Sequence, residues 1–144
     1  MPTRPVRDII RNQRIFTVTP DTTVRTAAVM MKEFGIGSLM VTVDDRLAGI
    51  FTERDALFRV LAGGLDPTRT TVEQVMTADP ISVTPDCLVL NALHRMHDGG
   101  FRHMPVVENG RPVGMVSIRD AVGPELATLE RELDEKEALA EILA

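Results

Sequence analysis

Sliding the sequence by 65 residues lays "VTPDTTVRTAAVMM" over "VTPDCLVLNALHRM" and "GIFTERDAL" over "GMVSIRDAV". From Thr17 to Ala56 against Ser82 to Ala121 the alignment needs no gap. Fourteen of forty positions are identical, among them Pro20/Pro85, Asp21/Asp86, Gly49/Gly114, Arg54/Arg119 and Asp55/Asp120. Such a duplication constrains the fold strongly, because a unit of about 50 residues buries little apolar surface alone. The two copies are expected to pack together about a pseudo-two-fold axis.

Each copy reads as β-α-β-β-α, an α/β (α+β) arrangement. A short extended piece ("FTV", "ISV") ends at Thr-Pro-Asp, where Pro disfavours helix for the residue before it and Asp is expected to cap the helix that follows. That helix runs about three turns, with Val24, Ala27, Ala28 and Met31 at helical spacing and Gly35, or Gly99-Gly100, as its stop. Two strands follow around a polar turn, Asp44-Asp45-Arg46 or Asn109-Gly110-Arg111, which predicts a hairpin. A second helix is expected just after Thr52 or Ser117, whose hydroxyls suit a helix N-cap. The boundaries fall at 1–64 for the first repeat with its N-terminal segment, 65–71 for a Gly/Pro/Thr-rich linker, 72–124 for the second repeat and 125–144 for an acidic amphipathic C-terminal helix.

The net charge of −5 belongs to that tail, which holds seven acids against Arg131 and Lys136, while the rest of the chain carries fourteen acids and fourteen bases. With no Trp or Tyr and 5 Phe, the chain offers little stacking surface for nucleic acid. Cys87 has no partner for an internal disulfide and suits a reducing compartment. No run of eighteen apolar residues is present and the N-terminus lacks a signal-peptide core, so a soluble, cytoplasmic protein without a membrane span is expected.

The repeated Thr/Ser-x-Arg-Asp sits where a strand hands over to a helix, and the free amides and positive dipole end there favour an anion. The hydroxyls of Thr52 and Ser117 and the guanidinium groups of Arg54 and Arg119 suit a phosphate. Asp55 and Asp120 would repel it, and need a neutral donor such as the hydroxyls of a ribose. Together these groups suit a nucleotide. The competing structural reading is that Thr52 and Ser117 cap helices and the acids complement the dipole, features a duplication copies as faithfully as a site.

These residues, "VTPDTTVRTAAVMM…GIGSLMV…LAGIFTERDAL" and "MTADPISVTPD…GFRHMPVVENGRPVGMVSIRDAV", resemble the paired cystathionine-β-synthase (CBS) domains, or Bateman modules, over about Val6 to Val122. The resemblance implies a non-enzymatic regulatory module that binds adenosine-containing ligands such as AMP, ATP, NAD or S-adenosylmethionine in clefts between the repeats, with no other cofactor required. By that likeness Asp55 and Asp120 contact ribose, Thr52 and Ser117 lie near phosphate, Phe16-Thr17 and Ile81-Ser82 give backbone contacts to the base, and the strands from Ser38 and His103 wall the pockets. The family often has Pro before the Val of that wall, as at Pro105-Val106; the first copy has Met40-Val41 instead. The second copy offers Arg102, His103 and Arg119 where the first has Gly37, Ser38 and Arg54, so if one site takes a polyphosphate it is expected to be the second.

Other constellations are weaker. His94 and His97 stand at i, i+3 with His103 beyond, but a zinc site needs further ligands at fixed spacing, so both are read as surface helix residues. Asp98 and His103 lack a nucleophile with an orienting group, which speaks against catalysis. The tail carries Leu126, Leu129, Leu133, Ala140 and Leu143 in fewer than three heptads, better suited to packing on a protein body than to a free zipper. The second helices carry apolar faces (Leu57, Val60, Leu61, Val122, Leu126, Leu129) that two small sheets cannot all cover, so a homodimer is expected, with a regulated enzyme or transporter as a further partner. The alternative function is a dimeric interaction scaffold with vestigial pockets.

Overall fold

The computed structural model describes residues 4–121 and 124–143. A short helix α1 (Val6–Ile10) precedes the first repeat, which comprises β1 (Thr17–Val18), α2 (Val24–Phe34), β2 (Ser38–Val43), β3 (Arg46–Thr52) and the single turn α3 (Glu53–Asp55), continued as a π-helix over Ala56–Leu61. Then come α4 (Val72–Val75) and β4 (Thr77–Ala78). The second repeat follows with α5 (Val89–Gly99), β5 (His103–Glu108), β6 (Arg111–Ser117), a 3-10 turn (Ile118–Ala121) and α6 (Pro124–Leu143). The mixed α+β architecture of two sheets and a C-terminal helix is the one the duplication implied.

Helix α2 buries Val24, Ala27 and Met31, and ends where Gly35 turns left-handed (φ 65°) and donates its amide to Met31 O. Gly100 (φ 72°) does the same for α5. The expected Asp caps are not the caps. At α2 the cap is Thr23, whose hydroxyl accepts from Thr26 N at 3.1 Å, while Asp21 accepts from the Thr19 hydroxyl. The helix starts two residues later than Asp21 requires, so its carboxylate reaches only its own turn; Asp86 instead accepts from Arg7 at 2.8 Å.

Both hairpins turn on two residues with positive φ, Asp44/Asp45 and Asn109/Gly110, the handedness that matches strand twist. Both also carry a register shift at the same place, after Val41 and after Val106. The first sheet has four strands in the order β1-β2-β3-β4, and the second has two. The expected "ISV" strand is reduced to one parallel bridge, Val83 with Val106, at the position equivalent to Val18 with Val41. Its neighbour Ile81 is exposed, so no burial holds a longer extended piece there.

The segment leading into each repeat docks on the other one. Val6 N donates to Cys87 O (2.7 Å), Arg7 N to Pro85 O (3.0 Å), and Val89 N to Arg4 O (2.9 Å). The same three bonds recur, with the repeat residues displaced by 65 and the leading segment by 66, as Val72 N to Thr22 O (2.8 Å), Glu73 N to Pro20 O (3.2 Å) and Val24 N to Thr70 O (2.9 Å). Val72 and Val75 accordingly lie in the first core, with Leu39, Val41 and Phe51, and Val6 lies in the second, with Leu93, Met96, Met104, Val106 and Val116. On the outer edge of β3, β4 supplies a backbone partner to Gly49. On β6 a side chain replaces it: the Gln13 amide donates to Met115 O (2.8 Å) and accepts from Met115 N (2.7 Å).

The first half of α6 lies on α5. Leu129 is buried in the second core, and His94 Nε2 on α5 stands 2.5 Å from Glu132 Oε2, so His94 is part of a helix seam rather than a bare surface residue. Glu125, buried, meets Arg4 Nε at 2.8 Å. Beyond Leu133 the helix projects, leaving Leu139, Ile142 and Leu143 exposed. Of the apolar residues expected to need a partner, Val60 and Leu129 are covered within the chain, Leu126 is partly so, and Leu57 and Leu61 remain 50 and 73 % exposed; Phe58 between them, not anticipated, is 55 % exposed. Val122 lies outside the described residues.

Candidate functional site

A cleft of about 1010 Å³ opens between the two repeats. Its floor comes from the first repeat. Ser38 and Met40, alternate residues of β2, are both buried, and Met40 N bonds Phe16 O at 3.4 Å, which brings the segment before β1 alongside. Phe16 stacks on Phe34 at 4.6 Å between ring centroids, and the Arg14 guanidinium lies 4.9 and 4.8 Å from the two rings. Cation–π attraction of this kind contributes about 0.5–1 kcal/mol at exposed sites and holds Arg14 at the cleft. Met31, Lys32, Gly35, Ile36 and Gly37, at the end of α2 and the loop into β2, form one side.

The second repeat supplies Arg102, His103, Ser117, Ile118 and Arg119, and α6 contributes Leu126. His103 and Ser117 face each other as a cross-strand pair of β5 and β6. The repeats come close at Gly37, where a Cβ would stand 3.0 Å from Glu53 Oε1 and 3.4 Å from His103 Nε2. A side chain at 37 would therefore push apart two polar groups, one from each repeat.

Of the residues expected from sequence, Phe16, Ser38, Met40, Arg102, His103, Ser117 and Arg119 are brought together in this one cleft. It joins the early strand of the first copy to the hydroxyl and cations of the second. Thr17 pairs with Met40 through the backbone, is exposed, and does not itself line the cleft. Thr52 and Asp55 cap one another: Thr52 N and Thr52 Oγ1 donate to Asp55 Oδ2 at 2.9 and 3.1 Å, and Asp55 N donates to Thr52 Oγ1 at 3.2 Å. Arg54 lies over the Phe58 ring (5.3 Å) and reaches the Gly100 carbonyl at the C-terminal end of α5. Ile81, Ser82 and Pro105 lie outside the cleft, Pro105 buried in β5. The side chain of Asp120 falls outside the described residues.

Arg14, Lys32 and Glu53 line the cleft without having been anticipated. None is shared between the copies, so the repeat comparison carried no signal for them. The one usable hint for Arg14 was its place two residues before Phe16. Among the described residues no group of three or more His, Cys, Asp or Glu side chains could hold a metal ion.

The family model for the CBS domain matches the chain twice, over residues 6–62 and 72–123. A CBS domain-containing protein of Arabidopsis thaliana is 40% identical over 116 residues, 80% of this chain and 21% of the relative, so the chain spans about a fifth of that protein's length. A CBS-domain containing protein from Agrobacterium tumefaciens superposes with a TM-score of 0.75 at 34% identity, covering 82% of this chain and 96% of that one. A CBS domain protein from Pyrobaculum aerophilum, complexed with AMP, superposes with a TM-score of 0.78 at 25% identity, covering 88% and 98%. With two matched domains, and a relative and solved structures of the same kind, the chain belongs to the CBS-domain family, as a tandem pair of the type that forms a regulatory module.

Proposed function

We propose that this protein is a non-enzymatic sensor that binds an adenosine-containing nucleotide, such as AMP, ATP or NAD, in the cleft between its two repeats. The observation that carries this reading is the cleft itself, in which aromatic and apolar side chains (Phe16, Met31, Met40) meet two hydroxyls (Ser38, Ser117) and several cations. A small-molecule site is built in this way, from an apolar lining with a few convergent polar groups. The AMP held by the Pyrobaculum relative supports the ligand class. Because both repeats line the cleft, a ligand that binds one relative packing of the repeats better than another shifts that equilibrium. In this reading a dimeric, cytoplasmic module passes the shift to an enzyme or transporter, and no helix among the described residues is long and apolar enough to cross a membrane.

The test is thermal unfolding with AMP, ADP, ATP, NADH and S-adenosylmethionine. A native-state ligand at a hundredfold excess over its Kd adds about 2.7 kcal/mol, which raises Tm by roughly 5–10 °C for a chain of this size. No shift with any of the five overturns the proposal. Nucleotide recovered unchanged after long incubation is expected, and turnover would replace the sensor reading with an enzymatic one.

A second reading, an interaction scaffold with vestigial pockets, draws on the exposed run Leu57, Phe58 and Leu61. Arg119→Ala separates the two. In a sensor it weakens the nucleotide response, and in a scaffold there is no response to weaken.

A further inference from the structure

The cleft is unevenly charged. Arg14 and Lys32 from the first repeat and Arg102 and Arg119 from the second line it, against one carboxylate among the described side chains, that of Glu53. The chain as a whole carries a net charge of −5, and up to residue 124 its acids and bases balance, so this local excess of cations runs against the average. Five cations outside the cleft are paired with carboxylates: Arg4 with Glu125, Arg7 with Asp86, Arg11 with Asp8, Arg59 with Asp55 and Arg69 with Asp66. Among the described residues no such pair involves Lys32, Arg102 or Arg119, and Arg14 is held by two rings, which leaves its N–H groups free of any carboxylate.

We infer that the cleft selects an adenosine ligand that carries a chain of two or more phosphates, gripped by Arg14 and Lys32 from one repeat and by Arg102 and Arg119 from the other. This rests on the nucleotide reading above and narrows it. Four unpaired cations exceed what one phosphate of charge near −2 neutralises, whereas a di- or triphosphate engages cations of both repeats at once. Guanidinium groups bind such oxygens through forked hydrogen bonds, and Lys32 adds a point charge. At about 1010 Å³ the cleft stands at the upper end of the roughly 300–1,000 Å³ typical of small-molecule pockets, large enough for an extended chain beside the nucleoside. The same field disfavours S-adenosylmethionine, whose sulfonium and ammonium add positive charge.

Calorimetric titration of the full chain with AMP, ADP and ATP, without magnesium, at about 50 and 200 mM salt tests this. ADP and ATP are expected to bind at least tenfold tighter than AMP, the gap narrowing as salt screens the exposed charges. Lys32→Gln and Arg14→Gln are each expected to shrink the ratio of ATP to AMP affinity on the order of tenfold, the loss of one charged hydrogen-bonding contact. Lys136→Gln, on the distal part of α6, leaves the ratio as it is. AMP binding as tightly as ATP overturns the inference, and so does a ratio that survives both cleft substitutions. AMP binding without the preference sinks only the inference, whereas no binding by any of the three sinks the inference and, together with no response to NADH or S-adenosylmethionine, removes the nucleotide reading as well.

Discussion

The Asp55 carboxylate accepts both the amide and the hydroxyl of Thr52, and Thr52 Oγ1 accepts the Asp55 amide in return. The second carboxylate oxygen faces Arg59 Nε at 3.5 Å. The Thr-x-x-Asp of the first copy is thus a reciprocal cap for the helix that starts at Glu53, and any ribose hydroxyl would have to share an acceptor already in use. Asp55→Ala is expected to cost about 1–2 kcal/mol, because Asp55 is buried and both Thr52 donors lose their partner. Urea denaturation measures it. An unchanged midpoint would mean that the cap carries no stability.

Gly49 and Gly114 are equivalent glycines, and each lies beneath a segment that leads into a repeat. A Cβ at 114 would meet Ile10 Cγ2 at 2.5 Å and Cβ at 2.7 Å, and a Cβ at 49 would meet the Met76 side chain and, at 2.9 Å, the Thr77 carbonyl. Gly49→Ala presses on backbone and is expected to destabilise by about 1–3 kcal/mol. Gly114→Ala presses on a side chain and costs the lower part of that range. The comparison of the two melting temperatures checks the order.

Leu129 anchors α6 in the second core. Leu129→Ala is expected to cost about 2–4 kcal/mol. Residues 134–143 are exposed, so removal of the chain from residue 134 onward should leave the unfolding midpoint nearly where it was. If the short chain melts as early as Leu129→Ala, the distal half of α6 is packed on something in solution.

The exposed Leu57, Phe58 and Leu61 share the helix that follows Thr52. Light scattering at micromolar concentration is expected to give a dimer for the full chain, and Phe58→Glu combined with Leu61→Glu to give a monomer of unchanged helicity, since burying two carboxylates in an interface is costly. A full-length monomer defeats the dimer claim, and a charged double variant that still dimerises moves the interface elsewhere.

Burial pushes the Cys87 thiol above its ordinary range, against the pull of the Arg95 guanidinium in the other direction. Folding thus favours the neutral thiol. The stability this contributes is complete below the unfolded thiol's range and is lost as pH rises through the higher, folded one. Denaturant midpoints measured from about pH 7 to 10 should fall more for the parent chain than for Cys87→Ser, and equal slopes would show that the thiol is not coupled to folding.

The duplication, the hairpins and the helices α2 and α5 follow from the amino-acid order alone. Each of those rests on neighbours within a few residues: Asn109-Gly110 at a turn, Val24, Ala27 and Met31 on one helical stripe, Gly35 and Gly100 in left-handed caps. The motifs also sufficed to recognise the family. The remaining features join residues far apart in the chain. Nothing near Val6 announces that its amide goes to Cys87, or that Gln13 will stand in for a strand on β6. Neither does any spacing place Arg14 and Lys32 in one cleft with Arg102 and Arg119. Local patterns specify which face of an element is apolar, whereas the choice of what covers that face, and which polar groups meet at its edge, is made only when the two repeats exchange their leading segments and close on each other.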